Sequence, residues 1–561
     1  MTRDRPRALP WLLAFAGGGL WAVAHVIALR QRGWPRMDVR GEWDVLLTTL
    51  ALAAGDPPDA VLGAVHGYEL GSYLIAALVS LPVTLGADPV VAAKLVALGF
   101  GALLAGATVW LATWLALRAS PDAEPLRVAV AVGPTILVVA CAWPGLHLEF
   151  AGLSGNTLES FALQVVAVGL TISRSPGASL RPLAVGALLT AAVLLSPVAA
   201  WTGLGLAAAA LLVRPRPRPR ALALAVAGGA LVVAAFAAFV PGGGEGLARF
   251  LVEQVDGQGL GGPDTGAPLG LGILAHIHHA LEGRALNPAL GLRPVALAGL
   301  GWILVLGLLV AVRPGPPHLR AVAMLALSWA VPLMLLPAGR WFYPLAFRYW
   351  VLAIALALAV LPAVLLRLGR PGRLGAGALA CLALACVPSL PALTTGPFLL
   401  RAEAIMGAAA HTLEPRPGRD RHAAFHAFAP HLPSRDRGAF AEGYGLRLGG
   451  DEAQRRPGAP PIDWSEVADR LEPGVRARFL VGVGCGMTVR GPVTDRMVEV
   501  IHTAPAAHRD AVFWGLGRCT EPSERPELLS EPAFVAGRAR APFDGIRSSV
   551  PAPQDQMSLR W

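Results

Sequence analysis

Apolar positions along this chain gather into long runs separated by short, basic connections. Runs able to cross about 30 Å of hydrocarbon cover 9–29, 90–117, 127–144, 156–173, 183–197, 199–213, 221–241, 294–312, 321–337, 350–366 and 374–392. The two on either side of Ser196 and Pro197 are short and read equally well as one broken hairpin. The pattern predicts an all-α membrane protein: about eleven transmembrane helices over 1–397, then a soluble helical repeat domain over 398–561.

Charge orients the spans. Arginines mark alternate connections: Arg3, Arg5 and Arg7; Arg118 and Arg127; Arg174 and Arg181; Arg214, Arg216, Arg218 and Arg220; Arg313 and Arg320; Arg367, Arg370 and Arg373. Setting all of them in the cytoplasm satisfies the positive-inside rule. The N-terminus is then cytoplasmic and 398–561 lies outside, as in a multi-pass protein of a bacterial inner membrane. Residues 68–86 are also apolar and contain Pro82. If they crossed, every later orientation would reverse, so they are expected to lie as a helix in the outer interface. Ala22-Val23-Ala24 resembles a signal-peptidase site, whose use would leave the later orientation unchanged.

Composition agrees with two solvents. Of 561 residues 54% are hydrophobic and only 15% charged, and the mean hydropathy is +0.55, above the range of ordinary soluble proteins. The formal net charge of +10 sits mainly in the short connections, which makes it a topology signal and argues against nucleic acid. Cys141, Cys381 and Cys386 fall in apolar runs and read as small core residues. Cys485 and Cys519 lie in the soluble part and are able to pair in an oxidising compartment.

The chemistry gathers in the non-basic loops. Asp38, Glu42 and Asp44 follow the first span, and His66-Gly67-Tyr68-Glu69 precedes the interfacial segment. His147 and Glu149 occupy the next outer turn, and Glu159 lies within the fourth span. Asp256, Asp264, His276, His278 and His279 share one long loop, and Arg340, Trp341, Tyr343, Arg348 and Tyr349 belong to another. Carboxylates, arginines and aromatics at one membrane face suit an anionic, lipid-linked substrate, because arginine grips phosphate bidentately and a carboxylate serves as a base. The bland readings stand beside this: solvated acids, aromatic anchors at span ends, and Lys94, the only lysine, snorkelling to headgroups. Glu159 is the stronger candidate, since an ionisable group inside a span is costly. His276 and His279, without an assigned carboxylate, are a weak metal signal.

On these residues the first 390 or so positions resemble the integral-membrane GT-C glycosyltransferases, which use polyprenyl-phosphate sugars and include the lipid A aminoarabinose transferase and the protein O-mannosyltransferases. The similar features are the acidic loop Asp38 to Asp44, His66 to Ser72 leading into an interfacial helix, Gly86-Ala87-Asp88-Pro89, Lys94-Leu95-Val96, Gly155-Asn156 with Glu159, and Arg348-Tyr349. The resemblance implies an inverting transfer from a lipid-linked sugar donor to a glycan, lipid or protein acceptor, with membrane lipids around the enzyme. It places the general base, or a divalent metal ion, at Asp38, with Glu42 and Asp44 as neighbouring catalytic candidates. Glu69, Lys94, Glu159, Arg340, Tyr343 and Arg348 are the expected donor and phosphate contacts. The acids here are spread along the loop rather than adjacent, so which of them is the base stays open. A transporter or channel, and a non-catalytic scaffold descended from such enzymes, are the alternatives.

The soluble part repeats itself. Phe440-Ala441-Glu442-Gly443-Tyr444-Gly445 recurs as Phe479-Leu480-Val481-Gly482-Val483-Gly484 and, more loosely, as Val512-Phe513-Trp514-Gly515-Leu516-Gly517. Arg437, Arg476 and Arg509 precede the glycines at one spacing, and Pro433, Pro473 and Pro505 stand where helices would start. Helical hairpins whose glycines allow close contact are expected, either as a binding surface for acceptor or partner or simply as a packing motif.

Overall fold

In the computed structural model the described residues are 8–32, 41–56, 70–142, 157–173, 180–196, 199–213, 219–239, 243–248, 307–311, 316–329, 351–385, 405–407, 409–410, 421–456, 459–489, 493–520 and 526–539. Among them the regular structure is entirely helical. The chain divides into two units, one formed by Met1–Pro35, His66–Ile75 and Lys94–Phe398, the other by Arg36–Val65, Ala76–Ala93 and Leu399–Trp561.

The first unit holds α1 (Leu9–Arg32), most of α4 (Pro89–Ala119), α5 (Pro125–Leu137), α6 (Thr157–Ile172), α7 (Arg181–Leu195), α8 (Ala199–Val213), α9 (Pro219–Phe239), α10 (Pro317–Ser328), α11 (Val351–Leu368) and α12 (Arg370–Ala385). α2 (Gly41–Ala53) and α3 (Leu70–Thr84) complete the N-terminal half. Among the described residues four helices are long and apolar enough to cross a membrane: Leu9–Ile27, Pro89–Ala119, Pro219–Ala238 and Val351–Leu368. The other apolar runs, where described, also fall on helices, which are shorter.

Outward faces of these helices are apolar as well as their contacts. Phe15 is 76% exposed and Leu222, Val226 and Leu231 are exposed along α9, a surface that suits lipid rather than water. Inside the unit, small residues let backbones meet. Gly186 of α7 faces the Ala225 carbonyl of α9, and Gly228 faces the Leu183 carbonyl in return. This is the close approach by which helices associate without a hydrophobic drive between them.

The second unit is built from α2, the C-terminal part of α3, the first turn of α4, α13 (Arg421–Phe428), α14 (Ser434–Ala453), α15 (Trp464–Asp469), α16 (Pro473–Val489), α17 (Asp495–Thr503), α18 (Ala506–Cys519) and α19 (Pro532–Ala539). Pro433 and Pro505 cap α14 and α18, and Pro473 and Pro532 open α16 and α19. The long helices meet at reciprocal glycines. Gly445 and Gly449 of α14 face the Phe479 and Val483 carbonyls of α16, while Gly482 and Gly486 face those of Glu442 and Leu446. Gly484 and Gly515 do the same for α16 and α18, and Gly517 and Gly537 for α18 and α19. Any β-carbon at these positions would collide with backbone.

Local bonds fix the connections. Arg437 donates to the carbonyls of Leu432 and Pro430, and Arg476 donates to those of Leu471 and Asp469 at matching offsets. Cys485 and Cys519 form a disulfide that ties α16 to α18, with their Cα atoms 5.2 Å apart. Asp88 caps α4 by accepting from Val90 and Val91 at 3.0 and 3.2 Å, a short acid before Pro at the first helical position.

Candidate functional site

The candidate residues divide by what the structure describes. Asp38, Glu69, Arg340, Tyr343 and Arg348 lie outside the described residues. Glu42 and Asp44 fall in α2, of which they occupy the beginning, and their side chains are outside the description. The acidic stretch is therefore not a loop throughout, because a helix begins at Gly41. Its cause is downstream: Val45, Leu46, Leu47 and Leu50 are fully buried, so the segment gains from helical packing of an apolar face.

Lys94 is 4% exposed, held within the protein rather than reaching out from it. That corrects the snorkelling expectation, which requires an extended side chain with a wet ammonium. Glu159 is 3% exposed in the first turn of α6. From the next residue a polar chain runs through otherwise apolar helices. Ser160 Oγ donates to the Ala192 carbonyl of α7 at 2.9 Å, and Gln164 Nε2 donates to Ser160 Oγ at 2.9 Å. Thr202 Oγ1 of α8 donates to Gln164 Oε1, and Trp329 Nε1 donates to Thr202 Oγ1 at 3.0 Å. Ser160, Gln164, Thr202 and Trp329 have no solvent exposure. Such bonds join helices where water is absent, and Glu159, one residue before Ser160, is a carboxylate buried in the same helix.

In the second unit the elements flanking the acidic stretch are packed with the C-terminal helices. α2 packs against α13, and Thr49 Oγ1 reaches the Ala76 carbonyl of α3 at 3.5 Å. Asp88 Oδ2 pairs with Arg435 of α14 at 3.2 Å. Deeper in the same unit two carboxylates are enclosed by arginines. Glu442, 4% exposed, accepts from Arg478 of α16 at 2.8 Å and Arg518 of α18 at 3.0 Å. Glu452 accepts from Arg496 at 3.0 Å and from the Ile462 backbone at 2.7 Å. Both carboxylates are buried and bonded, Glu442 tying α14 to α16 and α18 and Glu452 tying α14 to α17, and their geometry is that of struts between helices. Among the described residues no group of three or more His, Cys, Asp or Glu side chains is placed to hold a metal ion.

The chain matches no family model and no curated protein. Two features escaped the sequence reading: the buried Glu442, hidden inside the glycine motif, and a histidine pair, His422 and His426, on α13. The pair had a signal, since histidines four apart share one helix face.

Proposed function

We propose that this chain is a membrane glycosyltransferase that moves a sugar from a polyprenyl-phosphate donor to an acceptor outside the cytoplasm. The observation that carries the reading is that the elements around the acidic stretch fold with the C-terminal helices as one unit. The contacts of α2 with α13 and of Asp88 with Arg435 support placing these elements on the same side of the membrane as the C-terminal helices. α3 lies between α2 and Asp88 in sequence, and at 15 residues it would span only about 22 Å, which supports a helix that does not cross. This supports the interfacial placement of 68–86 and an even number of crossings between Asp88 and residue 399. The eleven-span topology, with ten spans after Asp88, has that parity. The disulfide agrees with an extracytoplasmic location, and the reciprocal glycine contacts support the repeat reading of 398–561.

In this reading the acids of 36–44 serve the acceptor. Asp38 takes the proton of the acceptor hydroxyl, with Glu42 and Asp44 as the alternatives. The acceptor oxygen attacks the anomeric carbon as the bond from that carbon to the phosphate oxygen breaks. Arg340 and Arg348, with Lys94, neutralise the departing lipid phosphate, and Glu69, Glu159 and Tyr343 hold the donor.

The test is a transfer assay with lipid-linked sugars on the purified chain. Asp38→Asn should lower turnover by about 10²- to 10⁴-fold, the usual contribution of a general base, with folding intact. Glu42→Gln and Asp44→Asn run beside it to locate the base. Full activity in all three variants would remove the catalytic assignment, and no transfer from any donor by the unmutated chain would favour the scaffold. A transporter is the second reading, favoured by the buried Glu159 and by the Ser160–Gln164–Thr202–Trp329 chain in the same unit. Substrate flux into vesicles that Glu159→Gln abolishes would establish it.

A further inference from the structure

We infer that His422 and His426 form a binding site for a divalent transition-metal ion on the second unit. The two Nε2 atoms lie 3.0 Å apart, and the rings stand nearly perpendicular, at 88°, with centroids 4.3 Å apart. Metal–imidazole bonds of about 2.0–2.1 Å drawn from both nitrogens meet at an angle of roughly 95°. That is close to the cis angle of octahedral or square-planar coordination, and imidazole suits nickel, copper and zinc among divalent ions. Tetrahedral zinc would need the nitrogens to part by about 0.3 Å.

The pair is held rather than loose. Between the two histidines Phe425 is buried and stacks on Phe440 at 5.4 Å and on Tyr444 at 5.2 Å, both of them in α14. That stacking fixes the face of α13 on which positions 422 and 426, one turn apart, project. His426 is exposed and His422 half-buried, so water can complete the coordination shell and the site keeps open positions, the condition for binding an anionic oxygen as a further ligand. A hydrogen bond between the rings would use one nitrogen as donor, whereas a metal uses both as acceptors. The same distance serves either arrangement, and only metal binding separates them.

The site is independent of the transferase reading and stands or falls by its own measurement. The full chain, purified in detergent without a polyhistidine tag and stripped with chelator, is dialysed against nickel ions alone and analysed for bound metal. One equivalent of nickel bound per chain is expected. His426→Gln and His422→Gln should each weaken binding at least tenfold while leaving the metal-free unfolding transition unchanged. His276→Gln combined with His279→Gln should leave binding intact. No bound nickel in the unmutated chain, retention by His426→Gln, or loss in the His276 and His279 variant would each overturn the proposal.

Discussion

Replacing Gly482 with alanine tests the way the second unit is held together. Its β-carbon would be driven into the Glu442 carbonyl of α14, a backbone atom that cannot rotate away. Gly474 lies on the same helix with nothing within 4 Å of such a carbon. The two substitutions share a chemical identity, so the intrinsic preference of a helix for alanine, up to about 1 kcal/mol, favours both. At Gly474 that gain, somewhat reduced near the helix start, is expected to stand alone. At Gly482 it is opposed by overpacking, which costs about 1–3 kcal/mol in well-packed sites and more where the obstacle is backbone. The facing helix has reciprocal contacts at Gly445, Gly449 and Gly486, so opening one contact loosens the rest. A net loss of about 2 kcal/mol is expected for Gly482→Ala and a small gain for Gly474→Ala. Hydrogen exchange on the full chain reads this locally, because amides of α14 and α16 report the opening of that helix pair rather than of the bundle. Faster exchange by roughly thirtyfold in Gly482→Ala, against unchanged or slower exchange in Gly474→Ala, is the expected pattern. Equal protection in both variants would refute the packing argument.

Further expectations follow from the same unit. Reducing the Cys485–Cys519 disulfide, which closes a separation of 34 residues, should cost about 4 kcal/mol in the chain-entropy model and speed exchange in α16 and α18; unaltered exchange after reduction would contradict it. Arg518→Ala should destabilise more than Arg478→Ala, because both serve the buried Glu442 but the Arg518 side chain is 12% exposed and that of Arg478 47%. Removing the better-buried partner costs up to about 3–5 kcal/mol, the exposed one much less, and an equal or reversed order in denaturant unfolding would count against the strut assignment. Arg435→Ala should change stability by less than about 1 kcal/mol, since the Arg435 side chain is 68% exposed where it meets Asp88.

Much of this architecture is legible in the sequence, for reasons that also explain the gaps. Long apolar runs become helices because hydrocarbon leaves the backbone no other partner; 90–117, 221–241 and 350–366 fall on α4, α9 and α11. The glycine ladder is legible because Gly443, Gly482 and Gly515 recur in one local motif, and close packing admits no substitute. α2 was hidden: 13 residues are too few for a span, and the acids at its beginning read as a loop. Membership of the second unit was hidden by distance along the chain, since Asp88 and Arg435 are 347 residues apart. Of the candidate site, Glu159 stands out in the sequence because an ionisable group in an apolar run is costly, and in the structure it is buried. The histidine pair on α13 passed unnoticed because two ligands without a third seldom signal a metal in sequence alone.

In the proposed topology the acidic stretch and the C-terminal helices share the outer face of the membrane. Alkaline phosphatase, active only outside the cytoplasm, reports this when fused after residue 60 and, in a second fusion, after residue 400. Activity in both, with a cytoplasmic reporter silent at the same positions, is the predicted result. An inactive fusion at either position, with the cytoplasmic reporter lit, would contradict the topology and the site built on it.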